Sequence, residues 1–174
     1  MKYRKTLLLL AAIPLLVMPL VAQHNERREG PERESQADLR GRNEVPLTLS
    51  AARGTFALTV DDTDTSVHFA LEYTGLLTTV AAAHIHVGQP NVNGGVTVFL
   101  CGGGGRPACP QEGMVEGDFT ANDVLALTSQ QLELHNLAKL LSAIRAGKTY
   151  GNVHTLTSPG GEIRGQIRAE EKER

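Results

Sequence analysis

Apolar residues alternate with small or polar ones along Thr55-Phe56-Ala57-Leu58-Thr59-Val60, which predicts a half-buried strand. Asp61-Asp62-Thr63-Asp64 predicts the turn after it, and Val67, Phe69, Leu71 and Tyr73 then place a second apolar set on one face. Val80–Val87 and Val96–Cys101 predict two more strands, joined by the Gly-, Asn- and Pro-rich stretch Gly88–Gly95. Val115–Thr120 gives a weaker strand signal. Tyr150–Thr155 and Glu162–Arg168 flank Ser158-Pro159-Gly160-Gly161, where Pro-Gly suits the central pair of a type II turn. One segment is helical: Leu137, Leu140, Leu141 and Ile144 share a stripe, Thr128 can cap the helix with Gln131 as its capping-box partner, and Gly147 can end it. Short strands at regular spacing with a single helix predict an all-β fold, an antiparallel β-sandwich with one inserted α-helix.

The ends of the chain read differently. Lys2, Arg4 and Lys5 precede an almost uninterrupted apolar run, Leu7–Ala22, broken by Pro14 and Pro19, and Ala22 offers a small residue for cleavage. Residues 1–22 therefore read as an export signal, too short in its apolar run for the roughly 20 residues of a membrane span. No cysteine near the cleavage point offers a lipid attachment. Residues 23–37, with Glu26-Arg27-Arg28-Glu29 and Glu32-Arg33-Glu34 around Gly30-Pro31, are too polar to bury much and read as a disordered leader. Residues 169–174 form a charged tail, which leaves 38–168 as the folded domain.

Cleavage after Ala22 leaves 152 of the 174 residues, enough for one domain that buries about 68–70% of its unfolded surface. It also removes three of the 17 basic residues, leaving 14 against 19 acidic ones and a formal charge of −5. An acidic chain with no tryptophan and few aromatics is a poor nucleic-acid binder. Export makes the only two cysteines, Cys101 and Cys109, a natural disulfide around Gly102-Gly103-Gly104-Gly105-Arg106-Pro107-Ala108. A thiolate metal site or a redox pair are the competing readings, and both lack the CxxC spacing. The four glycines lack the Gly-Lys-Ser/Thr of a phosphate loop.

Three of the six histidines carry the candidate chemistry. His84 and His86 in Ala83-His84-Ile85-His86 lie two apart on a strand and project to the same face, and Asn152-Val153-His154-Thr155 supplies the third. If their strands are neighbours, His84, His86 and His154 can bind copper, with zinc as the alternative, through ring nitrogens. The simpler reading is three histidines hydrogen-bonded at a sheet edge, because Ile85 and Val153 fit the core-facing side and leave the imidazoles free to face away from it. His68 lies opposite Val67, Phe69 and Leu71 and is a remote candidate for a fourth ligand; His135 lies off the helical stripe. His24 would be second in the mature chain, whereas an amino-terminal copper motif needs histidine third and hence cleavage after Val21.

No catalytic set emerges. Ser158 lies near His154 but no nucleophile elbow surrounds any serine. Asp61, Asp62 and Asp64 read as a turn, since a calcium loop would need its bidentate glutamate twelve positions on. Glu162 and Arg164 share the outward face of the last strand and read as a surface pair or as cross-strand partners, with Glu162 the candidate carboxylate for orienting His154.

Leu39–Pro46 (LRGRNEVP), Ala82–Gly95 (AAHIHVGQPNVNGG) and Ile144–Ile167 (IRAGKTYGNVHTLTSPGGEIRGQI) resemble the CHRD domain. That module is named after chordin, an extracellular antagonist of secreted growth factors, and many bacterial secreted proteins carry it alone. The resemblance spans residues 38–168 and implies an all-β extracytoplasmic domain without an established reaction. A looser similarity, a His-x-His on a sandwich strand, is to copper-zinc superoxide dismutases, whose sandwich shares its architecture with immunoglobulin domains. The sequence thus reads as an exported (periplasmic or secreted) CHRD-like binding module holding copper or zinc through three histidines. A metal-free extracellular module, capturing a protein partner through the Gly88–Gly95 and Cys101–Cys109 loops, is the alternative. A superoxide dismutase-like redox enzyme ranks last.

Overall fold

The computed structural model describes residues 33–170, so the export signal, most of the leader and residues 171–174 lie outside the described residues. Nine strands form one antiparallel sheet: β1 (Glu34–Arg40), β2 (Arg53–Val60), β3 (Ser66–Thr74), β4 (Val80–Val87), β5 (Gly95–Cys101), β6 (Gly113–Thr120), β7 (Thr149–Thr155), β8 (Ile163–Gln166) and β9 (Arg168–Ala169). Their order is β5-β4-β7-β8-β1-β2-β3-β6, with β9 added to β1. The two ends of this sheet, β5 and β6, come into contact, so the sheet folds over on itself and nearly closes around one core. The all-β architecture with one helix is as the sequence predicts. The two layers of the sandwich, however, belong to a single hydrogen-bonded path.

The period-two pattern explains the core. In β2 the inward set is Gly54, Phe56, Leu58 and Val60; in β3 it is Val67, Phe69, Leu71 and Tyr73, all buried. The two strands pair in register, Phe56 opposite Leu71 and Leu58 opposite Phe69, so these side chains stack across the ladder. The turn between them is held by Asp61, whose carboxylate accepts from the Thr65 and Ser66 amides at 2.7 and 3.1 Å. Its oxygens thus serve the turn itself. Helix α1 (Leu137–Arg145) buries the expected stripe, Leu137, Leu140, Leu141 and Ile144, and its chain reverses at Gly147 with φ 64°.

Three boundaries move. The helix begins at Asn136, whose side chain caps the Lys139 amide at 3.0 Å, and not at Thr128, which instead opens a short 3-10 turn. A left-handed residue at Gln131 breaks the chain between the two. Strand β1 starts at Glu34, inside the stretch read as a disordered leader, because Ser35, Ala37 and Leu39 alternate inward despite their polar company. The turn after β7 closes with the Gly161 amide donating to the Ser158 carbonyl at 3.0 Å, but its left-handed residue is Gly161 (φ 124°), not the Gly160 a type II turn needs. Cys101 and Cys109 form the expected disulfide, Cα–Cα 5.1 Å, closing the chain after β5. Among the described residues no helix is long and apolar enough to cross a membrane.

Candidate metal centre

Strand β4 is flanked by β5 and β7, and that placement brings the histidines together. Ala82 pairs with His154, His84 with Asn152 and His86 with Tyr150, so His84, His86 and His154 share one face across adjacent strands. Their ring centroids form a triangle of 4.8, 5.6 and 5.6 Å, and three ring nitrogens, one from each, lie within 4.8 Å of one another. The sequence placed them away from the apolar core, and they are: Ile85 and Val153 fill that side. They are nevertheless buried, at 9, 6 and 7% exposure, because loops cover the outer face of the sheet. Phe99 packs edge-on against His84 at 4.4 Å, and Tyr150 stacks on His86 at 4.8 Å and 8°.

Hydrogen bonds fix two of the rings. His86 Nδ1 donates to the Gly94 carbonyl at 3.1 Å, and His154 Nδ1 donates to the Pro159 carbonyl at 3.1 Å. A neutral imidazole has one N–H, so each Nε2 is left with a lone pair. Those two Nε2 atoms face each other at 3.4 Å. Ligand bonds of 2.0–2.1 Å at a tetrahedral angle set nitrogens about 3.4 Å apart, so the pair already has ligand spacing. Neither nitrogen of His84 has a hydrogen-bond partner.

All three histidines are held neutral. Burial pushes His84 down to about 3, with the neighbouring histidines adding, and His86 down to about 4 against the opposing pull of the Gly94 carbonyl. Burial also lowers His154, again against a carbonyl, that of Pro159. Neutral imidazoles are the form a metal needs. The same shifts set the acid stability of the metal-free protein. A folded value depressed below the unfolded 6.5 means that the unfolded chain takes up protons first, so stability is lost as pH falls from 6.5 toward 3–4. Glu44, raised by burial from 4.5 to about 7, works the other way, losing its contribution as pH rises through 7. One group cannot offset three, so with metal chelated the urea midpoint is expected to fall steadily below pH 6.5. A flat midpoint down to pH 4 would contradict the buried, neutral triad.

A polar layer that sequence reasoning missed surrounds the triad. Arg164, 3% exposed, donates from Nε to the Asn43 carbonyl at 2.6 Å and from Nη1 to Asn93 Oδ1 at 3.0 Å, and its guanidinium lies 4.7 Å from the Tyr150 ring. Glu44 stands 3.9 Å from Arg164 Nε. Glu44 Oε1, Asn152 Oδ1 and Arg164 Nη2 are buried without partners. Gly161 permits this packing: a Cβ there would fall 2.5 Å from the Asn152 amide and 2.7 Å from Glu44 Oε1.

Glu162 and Arg164 are not a surface pair. Glu162 is fully buried and accepts from Ser50 Oγ, Thr155 Oγ1 and the Leu77 amide at 2.7, 2.7 and 3.0 Å. It therefore does not orient His154; the Pro159 carbonyl does. His68 is exposed on the far side, 3.0 Å from Asp118, and is no fourth ligand, and His135 is exposed.

The fold and this cluster define an all-β module with a buried triad of neutral imidazoles that can hold a metal ion. The chain belongs to the CHRD domain family, whose domain matches residues 35–167. No curated protein matches it significantly.

Proposed function

We propose that this CHRD domain acts as an exported binding module that holds one copper ion at His84, His86 and His154, with zinc as the alternative ion. The observation that carries the reading is the pair of Nε2 lone pairs facing each other at 3.4 Å, beside a third ring with no partner at all. Two buried lone pairs at that distance repel; a cation between them removes the repulsion and satisfies both. Imidazole suits both metals, and the affinity order of divalent ions favours copper. Three protein ligands leave a further coordination position open. Export is supported by the amino-terminal pattern of residues 1–22 and by the Cys101–Cys109 disulfide, which suits an oxidising compartment.

Membership of the CHRD family and the exposed, disulfide-closed Gly102–Ala108 loop favour a second reading, a metal-free module that captures a protein partner. The deciding measurement is metal content and copper and zinc affinity of the full chain beside the His84→Ala/His86→Ala/His154→Ala variant. One tightly held ion per chain, lost in the variant, is the expected result. Equal affinity in both proteins would end the metal reading and leave the loop.

A further inference from the structure

The outer face of β1 and β8 carries an open cleft of about 940 Å³, separate from the histidine triad and divided from it by the Tyr150 ring. Three arginines, Arg42, Arg164 and Arg168, line it against a single carboxylate, Asp38. This balance is opposite to that of the chain, which carries a net formal charge of −2. Arg42 and Arg168 are exposed. Neither side chain makes a hydrogen bond or ion pair with a described residue, although the Arg168 backbone pairs with Gln36. Arg164 is different: it is 3% exposed, anchored by the Asn43 carbonyl and Asn93 with Glu44 3.9 Å away, and it lies beneath the two exposed arginines. An arginine fork is shaped for a carboxylate, and Arg42 and Arg168 present theirs to the cleft.

We propose that this cleft is a binding site for a small organic polycarboxylate. Arg42 and Arg168 each take a carboxylate at the rim, the Arg164 charge beneath adds to the attraction, and the Tyr150 ring edge with Pro90 meets the carbon skeleton. The volume is that of a small-molecule site. Spread over the turn after β1, β8 and β9, the three cations suit several anionic groups on one ligand better than a single point charge. None of the three histidines lines the cleft.

The test is a titration of the full chain, followed by amide NMR shifts and calorimetry at low ionic strength, with tricarballylate, inorganic phosphate and a hexaglutamate peptide as probes. Tricarballylate is expected to bind saturably below ~1 mM, shifting residues around Arg164 and Tyr150. Arg42→Gln/Arg168→Gln, both on exposed residues, is expected to weaken it about tenfold or more, and Arg42→Lys/Arg168→Lys, which keeps the charges and removes the forks, to recover only part of that loss. Arg53→Gln, an exposed arginine outside the lining, is expected to leave it unchanged. The absence of saturation by ~10 mM, or affinity unmoved by the double glutamine substitution, would overturn the proposal. So would binding of hexaglutamate or phosphate with none of tricarballylate, which would assign the cleft to a protein segment or to an adventitious ion only.

Discussion

Glu162→Ala is expected to destabilise the fold by about 3–5 kcal/mol, through donors stranded in the interior. The carboxylate is fully buried and its two oxygens are the acceptors for the Ser50 and Thr155 hydroxyls and the Leu77 amide. Its own carbonyl also accepts from Thr48 Oγ1 at 2.8 Å. These partners come from three connections, the one before β2, the one before β4 and the end of β7, so a single side chain ties together segments far apart in sequence. Alanine removes every side-chain acceptor at once and leaves a hole too polar to collapse. Glu162→Gln keeps one acceptor oxygen but turns an N–H2 toward donors, and is expected to recover only part of the loss. Urea unfolding of both variants against the parent measures this, and a loss below ~1 kcal/mol for Glu162→Ala would show that water satisfies the donors instead.

Glu162 also shows where the sequence stops being legible. Ile163, Gly165 and Ile167 point inward, so alternation assigns Glu162, Arg164 and Gln166 to the other face, correctly. Period two does not reveal that loops far away in sequence then cover that face. The Asn43 carbonyl and Asn93 clamp Arg164, and the Gly94 and Pro159 carbonyls clamp the histidines, which turns an outward face into a second buried layer. The same blindness made the histidines look free to be exposed. Elements whose partners are local were readable: the ladder of β2 and β3, the stripe of α1, and the disulfide across eight positions. The helix start was not, because Thr128 and Asn136 both offer capping side chains, and only the left-handed Gln131 and His135 decide between them. A signal for the missed layer did exist. The three segments that resemble the CHRD domain hold not only the histidines but also Glu44, Asn93, Tyr150, Asn152 and Arg164, which the fold gathers around them.

Asn152→Ala is expected to weaken metal binding by about 10–100-fold while leaving the three ligands in place. His84 is the ring that no hydrogen bond orients, and neither of its nitrogens is partnered. A neutral imidazole that gives one nitrogen to a cation must find an acceptor for the N–H on the other. Asn152 is its register partner across β4 and β7, with Cβ atoms of such a pair about 4.5–5.5 Å apart, and Asn152 Oδ1 is itself a buried acceptor without a donor. Metal seating therefore joins two orphaned groups, and the strength of that bond enters the metal affinity. It does not enter the stability of the metal-free fold, where the bond is absent. Asn152→Ala is accordingly expected to lower copper or zinc affinity with little change in the urea midpoint of the chelated protein, and Asn152→Asp, which keeps an acceptor beside Arg164, to restore much of the affinity. Parent-like affinity in the alanine variant would show that His84 finds its acceptor elsewhere. A matching fall in metal-free stability would make Asn152 a packing residue of β7 and remove it from the metal centre.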